Sequence, residues 1–176
     1  MIEKLKAITI PVMGTVDDSI VDGDGIRFTV FVQGCPHHCV GCHNPQSWEM
    51  KQDNMVSLYD LYKVVEDNPL SSGITFSGGE PFLYAPQLAV LAQAVHALGK
   101  DVWSFSGWTY EWLAQNEHAK ALLDNVDVLV DGPFLLAERD LTLKFRGSRN
   151  QRVIDLNATR KTGCLTELYS LRQMAG

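Results

Sequence analysis

Residues 33–44 read Gln33-Gly34-Cys35-Pro36-His37-His38-Cys39-Val40-Gly41-Cys42-His43-Asn44 and hold three of the four cysteines of the chain, spaced C-x3-C-x2-C. Cysteines this close cannot build a disulfide framework, because the loops they would close are strained. Thiolates that converge from a tight loop suit a soft metal centre. Three thiolates are one fewer than a closed structural zinc site or an ordinary [4Fe–4S] site uses. A cubane held by three cysteines leaves one iron open to an exogenous molecule.

Two other interpretations of this cysteine loop stay open at this point. A zinc ion could take the three thiolates together with His37, His38 or His43 as its fourth ligand. Three reduced thiols without any metal are the second alternative.

The cysteine spacing resembles the cluster motif of the radical S-adenosylmethionine superfamily. The resemblance implies that Cys35, Cys39 and Cys42 are the cluster ligands and the catalytic residues, and that S-adenosylmethionine binds the open iron through its amino and carboxylate groups. It also implies that Gly41, Cys42 and His43 contact this cosubstrate. Gly41 departs from the superfamily pattern, in which an aromatic residue commonly precedes the last cysteine.

A second informative stretch is Gly73-Ile74-Thr75-Phe76-Ser77-Gly78-Gly79-Glu80-Pro81, in which a short predicted strand leads into two glycines and an acid. Glycine lets the backbone approach a ligand closely because no Cβ intervenes. A tight turn at the end of a strand is the simpler interpretation of this pattern taken alone. The stretch resembles the glycine-glycine-acid motif of the same superfamily, which implies that Gly78 and Gly79 line the methionine end of the cosubstrate and that Glu80 holds its ammonium.

Two further candidate site residues, Ser104 and Asp131, lie at or near the carboxyl ends of successive predicted strands, 101–105 and 126–130. Ligands of open α/β sheets bind outside the carboxyl ends of the strands. These strand ends resemble those of pyruvate formate-lyase activating enzymes, where two acids border the S-adenosylmethionine carboxylate and a cation. The resemblance implies that Ser104 and Asp131 border the cosubstrate, with Ser104 in place of one acid.

Length and composition limit the class of protein. A chain of 176 residues, 45% of them hydrophobic and 20% charged, suits one globular domain with a sizeable core. A net charge of −6 argues against a nucleic-acid binder whose affinity comes from phosphate contacts. The sequence shows neither a signal peptide nor a membrane-length apolar run. We therefore expect a cytoplasmic protein without membrane contact, with one domain over 1–176 and its core at about 15–155.

The order of predicted elements indicates an α/β fold, because strands alternate with helices as they do around parallel sheets. The chain has too few residues for the roughly 250 of a closed eightfold barrel. We expect a partial, open parallel β/α barrel of about five or six units. The predicted elements are strands at 7–12, 26–32, 73–77, 101–105 and 126–130 and helices at 57–67, 86–98 and 109–125.

The C-terminal part of the chain carries a basic cluster, Lys144, Arg146, Arg149 and Arg152, in an otherwise acidic protein. The cluster is either a solvated face or a site for a carboxylate or a protein partner. Residues 127–155 closely resemble the C-terminal part of the anaerobic ribonucleoside-triphosphate reductase activating proteins. Residues 21–27 resemble the D-G-P-G-I-R segment of enzymes that activate glycyl-radical enzymes, with Asp24 in place of the proline.

The family resemblance implies a function. It implies that a flavodoxin-like donor reduces the [4Fe–4S] cluster and that S-adenosylmethionine is cleaved to a 5′-deoxyadenosyl radical. It further implies that this radical takes a hydrogen atom from a glycine of the anaerobic ribonucleotide reductase. An activator of another glycyl-radical enzyme, of the pyruvate formate-lyase type, is one alternative. A non-catalytic zinc-binding interaction module is an alternative of a different class.

We expect Cys164, which lies alone near the C-terminus, to be an inert thiol.

Overall fold

One mixed sheet forms the centre of the structure, a computed structural model that describes residues 1–169. Within these residues the strands are β1 (Thr9–Ser19), β2 (Arg27–Val32), β3 (Met55–Ser57), β4 (Gly73–Gly78), β5 (Asp101–Phe105), β6 (Val128–Asp131), β7 (Arg152–Asp155) and β8 (Glu167–Leu168). The α-helices are α1 (Ile2–Ala7), α2 (Leu58–Asp67), α3 (Ala85–Ala97), α4 (Tyr110–Gln115), α5 (Glu117–Leu123) and α6 (Leu156–Thr162). Residues 170–176 of the predicted domain lie outside the described part.

The strands lie in the order β3-β1-β2-β4-β5-β6-β7-β8. Strands β2, β4, β5 and β6 are parallel, and the pairs toward both edges of the sheet are antiparallel. Parallel neighbours need a crossover connection, and α2, α3 and the pair α4–α5 supply the three that are needed. The connection from β6 to β7, residues 132–151, holds a short 3-10 turn and no α-helix, and β7 pairs antiparallel with β6.

The predicted α/β class is confirmed, but several predicted elements differ from the structure in number or in their first and last residues. The structure describes four parallel strands where five or six units were expected. The predicted first strand at 7–12 is wrong in its bounds, because β1 begins at Thr9 and continues through polar residues to pair with β2. The predicted helix at 109–125 is interrupted at Asn116, whose side chain accepts from the Ala119 amide and starts α5 as a new helix.

The two faces of the sheet have different coverings. One face packs against the helices and holds the main apolar core, to which Ile74, Phe76 and Leu129 belong. The other face carries a smaller cluster around Trp103 and Val130. Successive side chains of a strand point to opposite faces, so each strand alternates between the helix-covered face and the second face. None of the helices within residues 1–169 is long and apolar enough to span a bilayer.

The turn that precedes β2 is held against the second face. Arg27 is fully buried and donates from Nε to Thr75 Oγ1 at 2.8 Å, and it also pairs with Asp101. The carboxylate of Asp22 accepts from Thr29 Oγ1 at 3.2 Å, and the Asp22 carbonyl accepts from Thr75 Oγ1 at 2.9 Å. These contacts order the turn even though Asp24 replaces the proline of the resembling segment.

Candidate functional site

A cavity of about 320 Å³ lies at the carboxyl ends of the parallel strands. Cys35, Cys39 and Cys42 line it from one side, and Gly78 and Gly79 belong to its wall. The structure thus brings the two sequence motifs, which are more than thirty residues apart along the chain, to one place. This edge of the sheet is where open α/β folds bind ligands.

The cysteine loop is fastened to its surroundings by backbone hydrogen bonds. The Gly34 amide donates to the Ser47 carbonyl at 2.7 Å, and the Cys35 amide donates to the Trp48 carbonyl at 3.2 Å. The Glu80 amide donates to the Gly34 carbonyl at 2.8 Å and so ties the glycine motif to the start of the loop. The three thiols are therefore presented by a braced loop.

All three cysteines of the loop are free thiols, and Cys35 is buried while Cys39 and Cys42 are half-buried. Burial raises the pKa of the Cys35 thiol to about 11, against the opposing effect of hydrogen bonds from the His37 and His38 amides. The Asn44 amide donates to Cys42 Sγ at 3.4 Å. Amide donors around sulfur stabilise thiolate ligands, so this environment fits a metal centre that supplies the compensating positive charge.

The donor set fits a multinuclear iron–sulfur cluster better than a single zinc ion. Of the three histidines that could complete a zinc site, His37 Nε2 donates to Glu80 Oε2 at 2.7 Å, and His38 stacks on Trp48 with ring centroids 4.9 Å apart. Within residues 1–169, no group of three or more His, Cys, Asp or Glu side chains is placed to hold one metal ion. Cluster ligands contact different irons, so their sulfur atoms can stand farther apart than the ligands of one ion.

The two glycines of the second motif are required by the packing of the protein itself. A Cβ on Gly79 would lie 2.1 Å from the Gly34 carbonyl oxygen, and a Cβ on Gly78 would lie 2.6 Å from Phe31 Cα. Gly78 also has a φ of +92°, which L side chains rarely adopt. Their predicted contact with the methionine end of the cosubstrate stays a prediction.

Glu80 lies beneath the cavity wall instead of facing the cavity. It is fully buried, and its carboxylate accepts from His37 Nε2 at 2.7 Å, from the Gly107 amide at 2.8 Å, and from Ser106 Oγ and the Phe82 amide at 3.1 Å. Both carboxylate oxygens are thus occupied by donors of the protein. Glu80 is not among the residues that line the cavity, and its predicted contact with the cosubstrate ammonium stays a prediction.

Ser104 belongs to the helix-covered face of the sheet. It is fully buried, follows the core residue Val102 by two positions, and donates from Oγ to the Phe105 carbonyl at 3.2 Å. Phe105 and Ser106 line the cavity in its place. Ser104 itself does not line the cavity, and its predicted contact with the cosubstrate stays a prediction.

Asp131 also lies outside the cavity, for the same reason of strand alternation. Arg152 Nε donates to Asp131 Oδ1 at 3.0 Å, the Tyr110 amide donates to Oδ2 at 2.7 Å, and the same guanidinium pairs with Glu111 at 2.8 Å. The two carboxylates raise the pKa of Arg152, and Arg152 holds the pKa of Glu111 below its usual range. The following residue, Gly132, lines the cavity instead. Asp131 thus belongs to an ion network with Arg152 and Glu111, and its predicted contact with the cosubstrate stays a prediction.

Gly41 and His43 differ in their placement. Gly41 has a φ of +77°, and a Cβ there would lie 2.9 Å from Leu136 Cδ1, so it packs against the segment after β6 and does not line the cavity. His43 does line the cavity, where its ring lies 5.3 Å from the ring of Phe134. Of the three predicted cosubstrate contacts in the cysteine loop, Cys42 and His43 thus line the cavity and Gly41 does not, and all three contacts stay predictions.

Gln151 holds the far wall of the cavity together. Its Oε1 accepts from the Gly147 amide at 2.9 Å and from the Ser148 amide at 3.2 Å, and its Nε2 donates to the Gly132 carbonyl at 3.0 Å. The segment from β6 to β7 therefore closes over the second face of the sheet.

The lining residues that our sequence analysis missed include Phe31, Ser77, Phe105, Gly132, Gly147 and Gln151. Phe31, Ser77 and Phe105 lie in the last two positions of predicted strands, and this placement was the sequence signal that could have identified them.

The basic cluster divides into buried and exposed members. Arg146 is 7% exposed and donates to the carbonyls of Gln151 at 3.1 Å and Tyr169 at 2.6 Å. Arg149 is exposed and pairs with Asp140 at 3.1 Å. Arg146 and Arg152 are therefore structural residues, and the cluster is not one continuous exposed face.

Substitution of Arg152 by methionine is expected to lower the free energy of unfolding by about 1–3 kcal/mol, because it leaves the buried Asp131 carboxylate short of its donors. Arg149→Met should change this free energy by at most about 1 kcal/mol, since its ion pair is exposed. Urea unfolding of the two variants measures both values. Equal effects would mean that the Asp131–Arg152 pair contributes no more than a surface pair.

Comparison with known proteins agrees with this site. The sequence profile of the family described as "4Fe-4S single cluster domain" matches residues 21–154. The chain is 36% identical over 142 residues to the anaerobic ribonucleoside-triphosphate reductase-activating protein of Salmonella typhimurium, covering 76% of this chain and 91% of that protein. It is 35% identical over 147 residues to the protein of the same name from Escherichia coli K12, with the same coverage, and 34% identical over 141 residues to that of Vibrio cholerae.

Among solved structures, the crystal structure of QueE from Escherichia coli matches with a TM-score of 0.49 and 17% sequence identity, covering 61% of this chain and 57% of that one. This likeness is too weak to support an argument about function. The sequence relationships are much stronger, since they extend over most of both chains at identities above 30%. The chain belongs to the family of anaerobic ribonucleoside-triphosphate reductase-activating proteins and carries a 4Fe-4S single cluster domain.

Proposed function

We propose that this protein is a radical S-adenosylmethionine enzyme that installs a glycyl radical on an anaerobic ribonucleotide reductase. The observation that carries the proposal is the meeting of three free thiols and a glycine wall in one cavity at the carboxyl ends of the parallel strands. Family membership supports the reductase as partner.

Cys35, Cys39 and Cys42 would each bind one iron of a [4Fe–4S] cluster and leave the fourth iron for S-adenosylmethionine. When bound, the cluster supplies one electron to the cosubstrate sulfonium, so that methionine and a 5′-deoxyadenosyl radical form and the radical takes a hydrogen atom from a glycine Cα of the partner. The hydrogen bond from the Asn44 amide would stabilise the negative charge of the Cys42 thiolate as a cluster ligand.

The remaining residues of the cavity bind, orient and shield. Gly78 and Gly79 belong to the wall along which the methionine end of the cosubstrate would lie, where their backbone can approach a ligand closely. Phe31, Phe105 and Phe134 give the cavity apolar walls that exclude water from reactive species. Asp22 is the only carboxylate among the lining residues in the described part of the chain, and it is suited to balance the positive charge of the cosubstrate.

We also infer that the sheet curves as a partial, open barrel around the cavity. Supporting observations are the four neighbouring parallel strands and the covering of the second face by the segment 132–151 without an α-helix. A lateral opening of this kind suits a cosubstrate whose reactive fragment must reach a loop of another protein. A flavodoxin-like electron donor and a cytoplasmic location belong to the same proposal and rest on family resemblance.

The test combines anaerobically reconstituted protein, a chemical reductant and S-adenosylmethionine with the anaerobic ribonucleotide reductase. We expect a glycyl-radical signal in electron paramagnetic resonance and formation of methionine and 5′-deoxyadenosine. Pyruvate formate-lyase serves as the comparison partner and should remain without a radical. A radical on pyruvate formate-lyase alone would favour that partner. Colourless protein with bound zinc and no cosubstrate cleavage would favour the interaction module.

A further inference from the structure

His37 connects the cysteine loop to the ends of two neighbouring strands. It lies between Cys35 and Cys39 in sequence, and its Nε2 donates to Glu80, which follows β4. The same carboxylate accepts from Ser106 and Gly107, which follow β5. The His37 imidazole therefore links the cysteine loop to the Glu80 carboxylate, which is also hydrogen-bonded to the residues after β5.

The ring of His37 is also confined by packing. It stands edge-on to Trp108, with ring centroids 4.7 Å apart and an interplanar angle of 71°. A Cβ on Gly107 would lie 2.4 Å from His37 Cδ2, so the ring rests directly on the glycine backbone. Only 15% of the His37 side chain is exposed. Contacts on its edge and face leave the ring little room to turn.

The Glu80 carboxylate makes this contact energetically important. A fully buried carboxylate is costly unless every oxygen has donors, and removal of one donor leaves an uncompensated charge. The other donors to Glu80, Ser106, Gly107 and Phe82, belong to the strand ends and the turn after β4. Among the donors to the Glu80 carboxylate within residues 1–169, only His37 comes from the cysteine loop, so this contact holds the loop against the sheet.

We propose that His37 is a positioning residue for the cluster and that Glu80 is its anchor. On the basis of the proposed function, the His37–Glu80 contact holds Cys35 and Cys39 against the cavity wall before any cluster is bound. Glu80 then contributes to the reaction through the loop, and not as a ligand of the cosubstrate ammonium.

His38 offers a matched control in the same loop. Its ring stacks on Trp48 at an interplanar angle of 19° and makes no contact with Glu80 in the described structure. Its φ of +49° is a left-handed conformation that asparagine tolerates well. The substitution His38→Asn therefore removes a ring from the loop while keeping the backbone conformation.

The first experiment uses the metal-free protein and follows alkylation of Cys35 by iodoacetamide, read by peptide mass spectrometry. His37→Leu should accelerate alkylation roughly tenfold or more, because the loop loses a hydrogen bond to a charged group. His37→Gln, which can still donate near the position of Nε2, should restore most of the protection. His38→Asn should alkylate at close to the wild-type rate. Wild-type rates in His37→Leu, or equal acceleration in the Leu and Gln variants, would overturn the proposal.

The second experiment uses reconstituted protein and compares the electron paramagnetic resonance spectrum of the reduced cluster with and without S-adenosylmethionine. We expect His37→Leu to alter this spectrum and its response to the cosubstrate, with His37→Gln close to wild type. Unchanged spectra in His37→Leu would contradict the positioning role. If His37→Leu does not fold, His37→Phe tests the same point, since it keeps the ring and loses the donor.

The two experiments separate this inference from the proposed function. Alkylation of the metal-free protein requires neither cluster nor cosubstrate. A wild-type protein that protects Cys35 through His37 and yet binds no iron would overturn the proposed function alone.

Discussion

Replacement of Cys35, Cys39 or Cys42 by alanine is expected to abolish iron retention and cleavage of S-adenosylmethionine after anaerobic reconstitution. The three thiols line one cavity, and a cubane with only two protein ligands loses a third of its anchorage. Iron and sulfide content per chain, visible absorbance and methionine release measure the loss.

Cys164→Ala is the matched control for these variants. Cys164 is exposed at the end of α6 and does not line the cavity. Iron content and cosubstrate cleavage should stay at the wild-type level in this variant. Loss of iron in Cys164→Ala would point to a closed four-cysteine site, and full iron content in any of the three loop variants would refute the ligand assignment.

Replacement of Gly79 by alanine is expected to impair both the cluster and the fold. The added Cβ would lie 2.1 Å from the Gly34 carbonyl oxygen and 3.0 Å from the Val32 carbonyl oxygen. Both are backbone atoms, so a change of side-chain rotamer cannot relieve the overlap. Overpacking of this kind typically costs about 1–3 kcal/mol. Because Gly34 directly precedes Cys35, the displacement should reach the cysteine loop and lower iron retention.

The control for Gly79→Ala is Gly14→Ala in strand β1. A Cβ on Gly14 would meet no heavy atom within 4 Å, and Gly14 has no positive φ. Urea unfolding and iron content after reconstitution should be close to wild type in this variant. From the motif alone we would expect a Gly79 substitution to weaken cosubstrate binding and spare the cluster. Retention of full iron content in Gly79→Ala would restore that simpler interpretation.

The cysteine loop and the glycine motif could be recognised without coordinates. Their residue types and spacing report directly on chemistry, because three thiolates in eight residues suit a cluster and paired glycines permit close backbone approach. The preceding strand was also predictable, since β-branched and aromatic residues fill 28–32. The α/β class followed from the alternation of strands and helices.

The sequence did not determine which face of the sheet each strand-end residue points to. A shift of one residue exchanges the two faces of a strand. Ser104 and Asp131 are each one position away from the cavity-lining residues Phe105 and Gly132 and do not line the cavity themselves.

The partners of the buried carboxylates could not be predicted from the sequence either. Glu80 meets His37, and Asp131 meets Arg152, across 43 and 21 positions of the chain. A charged residue in a linear pattern is equally consistent with a ligand contact, a solvated face or a buried pair, and only the packing around it distinguishes them.

The sequence by itself thus determined the chemistry that the chain can support, namely a cluster loop, a glycine wall and their place at the carboxyl ends of strands. The tertiary structure decided which strand-end residues line the cavity and which carboxylates are hydrogen-bonded to donors of the protein itself. The physical reason is that ligand type and backbone freedom are properties of single residues and short spacings. Burial and ion pairing depend on distant segments that meet only in the folded chain.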